Sequence, residues 1–271
     1  VGVRCRALSA SEALIGGRKC VSVCEASGGV VLEDPGVTAS DDYLRLGKSR
    51  AKRFGFDHAF AETSTTEEIF EALVRQLMEP LLQGFNATVF AYGATGAGKT
   101  HTMIGYDEAG IMTLTLQTLF REIEELRSER KFSVSCTFVE VYNEFLRDLL
   151  VHQQQHVMTY PAVDGRGNLL GGNNNFETSL DLREDPVKGV CVAGVSEVFE
   201  IESADEVLKL LKRANRNRTC ESTVANTVSS RSHAVMTVTI TQRDIGQASK
   251  VRELSKLSMI DLAGSERASS S

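Results

Sequence analysis

Ala87–Tyr92 (ATVFAY) runs directly into Gly93–Thr100 (GATGAGKT), and this junction decides the fold. The first six residues are apolar and β-prone, which predicts a short buried strand. The next eight match the phosphate-loop pattern G-x-x-x-x-G-K-[ST]. A strand feeding such a loop presents bare backbone N–H groups to a nucleotide's phosphates. Gly93, Gly96 and Gly98 permit the tight path, and Ala94, Thr95 and Ala97 keep the intervening side chains small. Lys99 is expected to reach the β- and γ-phosphates, and the Thr100 hydroxyl to ligate Mg²⁺.

Working outward, helix and strand signals alternate on both sides of the loop. Thr65 and Glu68 form a capping box before Ile69, Leu73, Leu77 and Leu81, with Gly84 as the stop and Pro80 expected to kink the last turn. A second helix is expected over residues 114–126. A third opens at the Ser203/Glu206 capping box, carries Val207, Leu210 and Leu211 on one face, and ends in the basic run 212–218 (KRANRNR). Strands are expected over residues 1–8, 20–32 with a break at 27–29, 54–60, 132–142, 234–241 and 254–262, the last two joined by a polar hairpin loop. Residues 151–179 carry QQQ, GRG and NNN with few large apolar side chains, and read as a flexible insertion. The alternation predicts one α/β domain with helices on both faces of a mixed sheet.

Composition narrows the class further. The 271 residues carry a net charge of −6, which argues against a general nucleic-acid binder. No apolar run approaches the length of a membrane span. The six cysteines show no C-x-x-C pair and no histidine pair at zinc spacing, so free thiols are expected.

Two later segments bear on the loop. Asn226–His233 (NTVSSRSH) groups hydroxyls around an arginine just before a strand. Asp261–Glu266 (DLAGSE) follows one. An acidic residue at a strand end near a phosphate loop can hold Mg²⁺ through water, and a glycine three residues on can offer its N–H to a γ-phosphate.

GATGAGKTHTM, NTVSSRSHA and DLAGSERAS, in this order, resemble the phosphate loop, switch one and switch two of a kinesin motor domain. The stretches FVEVYNEFLRDLL and LREDPVKGVCVAGVSEV are similar as well, and the alanine-containing phosphate loop together with LREDPVKGV most resembles class-eight kinesins. The resemblance covers nearly the whole chain except 151–179. It implies a phosphate-loop nucleoside triphosphatase with a central mixed, mostly parallel twisted sheet. It also implies that residues 1–271 are an incomplete motor domain whose microtubule-docking helix and neck linker lie beyond Ser271.

Carried onto this sequence, the resemblance implies that Thr100 and Ser229 ligate Mg²⁺ with Asp261 behind them. Ser230 and Asn226 would surround the γ-phosphate and its attacking water. Gly264 would sense that phosphate, and Arg231 and Glu266 would pair as the site closes. Arg4 and Arg6 would flank the base, although Ala7 stands where the family usually has proline, and His101 would flank its other side. Lys188 and the Arg213–Arg218 run are candidates for contact with acidic tubulin.

The implied activity is ATP hydrolysis coupled to movement on microtubules, in the cytoplasm and on the cytoskeleton. The cofactors are ATP and Mg²⁺, with no membrane or nucleic-acid partner. A homodimer would form through segments outside this chain. The alternative is a non-motile or non-catalytic microtubule-binding relative, which would be expected to have lost Lys99, Thr100, Ser230, Arg231 or Glu266. A GTPase is disfavoured because no N-K-x-D segment is present.

Overall fold

The computed structural model describes residues 1–33, 51–106, 108–128, 130–151, 180–186, 189–219, 231–243 and 251–266. The chain forms two compact units, Val1–Leu77 with Ile104–Thr115, and Met78–Met103 with Leu116–Ser271.

In the first unit, β1 (Gly2–Arg4) pairs in parallel with β5 (His58–Phe60). β1 stops well short of the eight residues expected, and the chain turns into a five-residue helix α1 (Ala10–Leu14) with a complete Ser9/Glu12 capping box. β2 (Val21–Cys24) and β3 (Gly29–Leu32) make the hairpin expected from the break at 27–29, and β4 (Lys52–Gly55) extends it. Gly28 turns that hairpin at φ 61°, in the left-handed region where a Cβ is costly.

The capping box at Thr65 and Glu68 is formed in both directions, at 3.1 and 2.9 Å, and opens α2 (Thr66–Ile69). The expected single helix is interrupted there. A π turn (Phe70–Val74) and a 3₁₀ turn (Arg75–Leu77) intervene before α3 (Met78–Leu82). Pro80 thus falls in the first turn of a fresh α segment, where its missing N–H removes no bond. The irregularity moves upstream of the proline instead of bending the last turn. α3 closes in a Schellman cap, with Gly84 N–H donating to the Leu81 carbonyl and Phe85 N–H to that of Pro80, Gly84 standing at φ 105°.

The second unit is built on one six-stranded sheet. Its strands are β6 (Ala87–Ala91), β7 (Lys131–Tyr142), β8 (Phe145–Asp148), β11 (Val198–Ile201), β12 (His233–Arg243) and β13 (Val251–Asp261), in the spatial order β11-β7-β12-β13-β6 with β8 on β7. A separate pair, β9 (Asp181–Asp185) with β10 (Gly189–Ala193), is antiparallel. The sheet is mixed, but the expectation of a mostly parallel one is corrected. Within this sheet, among the described residues, only β6 and β13 run parallel; β11/β7, β7/β8, β7/β12 and β12/β13 are all antiparallel. The short connection between β12 and β13 permits nothing else, because parallel neighbours need a long crossover.

Three further helices complete the described structure: α4 (Lys99–Met103), α5 (Ile111–Glu125) and α6 (Ala204–Thr219). Strict alternation along β12 buries Ala234, Met236, Val238 and Ile240 on one face. The register aligns them with Val134, Cys136, Phe138 and Glu140 on β7, and with Leu257, Met259 and Asp261 on β13. Each large apolar side chain removed from water there contributes about 1.5–3 kcal/mol. Helix α6 packs on β7 and β11, and α4 on β6 and β13. Of the insertion expected at 151–179, all but Val151 lies outside the described residues, as does the hairpin loop at 244–250.

Candidate functional site

β6 ends at Ala91 and α4 begins at Lys99, so the loop between them spans the junction read from the sequence. Gly96 and Gly98 take φ 78° and 92°, which explains glycine at both. Ala97 N–H donates to the Ala94 carbonyl at 3.1 Å and tightens the turn. The Lys99 ammonium folds back onto the loop and donates to the carbonyls of Gly93 and Ala94, each at 2.9 Å.

The parallel register Asp261↔Ala91 sets the end of β13 beside the start of this loop. Three contacts follow. The Thr100 hydroxyl donates to Asp261 Oδ2 at 2.8 Å. Ser265 N–H donates to the Gly93 carbonyl at 3.0 Å. The Glu266 carboxylate accepts from Thr95 N–H at 2.9 Å and from the Thr95 hydroxyl. Thr95, with the Lys99 ammonium a lesser influence, draws the Glu266 pKa down to about 2. Gly264 sits inside this cluster, where a Cβ would overlap the Glu266 carboxylate and the Thr95 hydroxyl.

Asp261 is fully buried, as are Glu140 and Ser232. The register places Glu140, Ala234 and Asp261 in one row across β7, β12 and β13. Over the small Ala234 lies Arg218 of α6, itself only 2% exposed. Its Nη1 meets Asp261 Oδ2 at 2.6 Å, and its Nε stands 3.8 Å from Glu140 Oε1. Nη2 donates to the Ser232 carbonyl at 2.9 Å, and Nε to the Ser232 hydroxyl at 3.4 Å. Arg147, cross-strand from Glu140, approaches its other oxygen at 3.6 Å. The His233 imidazole accepts at Nδ1 from Ala263 N–H, at 3.1 Å, and so ties the start of β12 to the segment after β13.

The structure therefore brings Gly93, Thr95, Lys99, Thr100, Asp261, Gly264 and Glu266 together. It does not join Arg231 to Glu266: among the described residues no ion pair links them, and Thr95 holds the carboxylate. Asn226, Ser229 and Ser230 lie outside the described residues, as does Lys188. In the first unit, Arg4 donates to the Thr66 hydroxyl and the Ser64 carbonyl at 3.1 and 3.2 Å. Arg6 is clamped by Glu12 through two bonds, at 3.0 and 2.6 Å. His101 is exposed on α4.

The basic run at the end of α6 needs correction. Arg218 is interior, so it offers no charge to a partner surface. Arg213 and Asn217 donate to the Leu150 and Leu149 carbonyls, each at 2.8 Å, and tie the helix to the end of β8. Sequence reading missed Arg218 and Glu140 as parts of the site. The signal was present in the spacing: Val207, Leu211, Ala214 and Arg218 fall on one helical stripe, and all four are buried.

The residues present suit a hydrated Mg²⁺. The Thr100 hydroxyl and the Asp261 carboxylate are oxygen donors of the kind Mg²⁺ selects. Asp261 Oδ2 is taken by Thr100 and Arg218, while Oδ1 is buried without a hydrogen-bond donor among the described residues. A metal-bound water would supply that donor.

Comparison with known proteins agrees with this geometry. The family model described as "Kinesin motor domain" matches residues 4–271. The chain belongs to the kinesin motor domain family. It is 45% identical over 243 residues to the kinesin-like protein KIF19 of Homo sapiens, covering 89% of this chain and 22% of that protein. It is 40% identical over 269 residues to the kinesin-like protein KIN-8A of Oryza sativa subsp. japonica, covering 99% and 31% respectively. A solved structure, "Structure of a fast kinesin: Implications for ATPase mechanism and interactions with microtubules", superposes with a TM-score of 0.77 at 27% identity, over 98% of this chain and 66% of that one. The kinesin-8 likeness read from the sequence agrees with these relatives, and the chain spans under a third of the curated relatives it matches.

Proposed function

We propose that the chain carries the ATP-hydrolysing core of a microtubule motor. The observation that supports this reading best is the Thr100–Asp261 hydrogen bond, which joins a phosphate loop to the end of a parallel neighbouring strand. That is the pairing a Mg²⁺-nucleotide site requires. Mg²⁺, when bound, would neutralise charge developing on the β- and γ-phosphates.

The chain's own residues do the rest. The loop N–H groups and the α4 N-terminus receive phosphate oxygens. Lys99, on a flexible four-carbon stem, exchanges the Gly93 and Ala94 carbonyls for phosphate. Thr100 and Ser229 would offer hydroxyl oxygens to Mg²⁺, with the Asp261 carboxylate as a further oxygen acceptor behind them. Ser230 and Asn226 position the attacking water, with Gly264 N–H at the γ-phosphate. Glu266 leaves Thr95 and pairs with Arg231 as the loops close, a geometry demanding enough to serve as a switch. Arg4, Arg6 and His101 are assigned to the base.

Coupling these loop movements to a track-bound state would make the protein a cytoplasmic motor on microtubules. The test is ATP turnover by the full-length protein with and without microtubules. Stimulated turnover is expected; turnover indifferent to microtubules removes the motor reading. Microtubule binding with no turnover at all would favour the non-catalytic alternative.

A further inference from the structure

We infer that Arg218 is a positioning residue for the metal site, setting the orientation of Asp261 and locking it to the root of the 226–233 segment. The inference rests on the functional reading above. It starts from a buried guanidinium whose fork is divided between the last residue of β13 and the residue just before β12. One arm holds Asp261 Oδ2 at 2.6 Å, and the other holds the Ser232 carbonyl at 2.9 Å. Asp261 also accepts from Thr100 at 2.8 Å through the same oxygen, so two donors fix that oxygen, while Oδ1 has no hydrogen-bond donor among the described residues. A carboxylate pinned in this way can present Oδ1 in only one direction.

Charge supports the same conclusion. Asp261 and Glu140 are both fully buried and lie in one row of the sheet, with Ala234 between them. Two buried carboxylates so arranged repel each other, and Arg218 is the cation that reaches both. Arg147 shares Glu140 from the far side at 3.6 Å, which leaves the shorter of Arg218's two carboxylate contacts for Asp261. A planar fork holds Asp261 and Ser232 in one fixed geometry, whereas a lysine ammonium is a single point charge on a flexible stem and does not fix their relative orientation. Groups that orient a metal's partners in this way typically alter metal affinity by about 10–100-fold when removed.

The test is an Mg²⁺ titration of fluorescent ADP binding by the full-length protein, with melting curves taken without nucleotide. Arg218→Lys keeps the charge and loses the fork. Its nucleotide affinity in EDTA is expected to stay within about twofold of the parent. The Mg²⁺ needed to tighten binding should rise by about tenfold or more. Arg218→Met combined with Glu140→Gln removes the cation and one opposing charge together, and should shift the Mg²⁺ requirement in the same direction.

A folded variant with the parent's Mg²⁺ requirement would overturn the inference. Failure of both variants to fold would do so too, since Arg218 would then be a brace of the sheet. If the parent itself shows no Mg²⁺-dependent tightening, the nucleotide reading falls first, and that outcome is distinct from either of these.

Discussion

Two side-chain links join the phosphate loop to the end of β13 and the segment that follows it, and they are built for opposite purposes. Thr100–Asp261–Arg218 is interior, with Asp261 fully buried and Arg218 at 2% exposure. Thr95–Glu266 lies at the surface. In a water-free site, a charge that loses its partner cannot be rehydrated, so the first link is expensive to break and holds geometry. At the surface, water and other ions compete on nearly equal terms, so the second can be exchanged at little cost. A switch needs both: a fixed reference and a contact that lets go.

Breaking the interior link should have the largest effect. Asp261→Ala leaves Arg218 buried against Glu140 without its closest partner. It should lower unfolding free energy by about 3–5 kcal/mol, read from urea denaturation. A loss under about 1 kcal/mol would mean that water already reaches the row. Glu266→Ala should leave folding stability within about 0.5 kcal/mol of the parent. Nucleotide binding should survive, and microtubule-stimulated turnover should fall by about 100-fold. Turnover at the parent rate would remove the proposed Arg231–Glu266 pairing.

Gly264→Ala tests the crowding at the exposed link, because its Cβ would displace the Glu266 carboxylate from Thr95. The displaced group is a flexible side chain, so the expected stability loss is only about 1 kcal/mol, seen in the melting curve. The pH dependence of the Thr95 amide NMR resonance sharpens the same point. The Glu266 pKa is depressed to about 2, so the contact should persist as pH falls below the ordinary carboxylate range and be lost only as pH falls through about 2. A midpoint near the ordinary value would show that Thr95 does not hold it.

The smallest effect concerns thiols. Burial, reinforced by Glu197, pushes the Cys136 pKa up to about 12, while Ser27 lowers that of the exposed Cys24. Iodoacetamide should alkylate Cys24 at least about tenfold faster. Cys136 shares the buried face with Asp261, and should become reactive in Asp261→Ala.

Much of the frame was legible in the sequence, because local chemistry carried it. The Gly93–Thr100 pattern, the Thr65/Glu68 box and the alternation of Ala234–Thr241 each act within a few residues. The Phe70–Leu77 irregularity was not legible, since apolar spacing of four suits an α-helix and a π turn about equally well. The parallel expectation failed because strand direction belongs to pairing, although the hairpin between β12 and β13 already argued against it. Arg218 was misjudged by grouping it with its charged neighbours. Composition suggested a surface patch, while the stripe through Val207, Leu211 and Ala214 pointed inward.

One further contact between these regions uses no side chain at all. Ser265 N–H donates to the Gly93 carbonyl at 3.0 Å. Residue identity cannot tune such a bond, and drift at either position leaves it intact, with one exception: proline at 265 has no hydrogen to give. The two segments thus keep a seam that mutation elsewhere cannot unpick. Ser265→Pro offers a way to cut it while sparing every charge nearby.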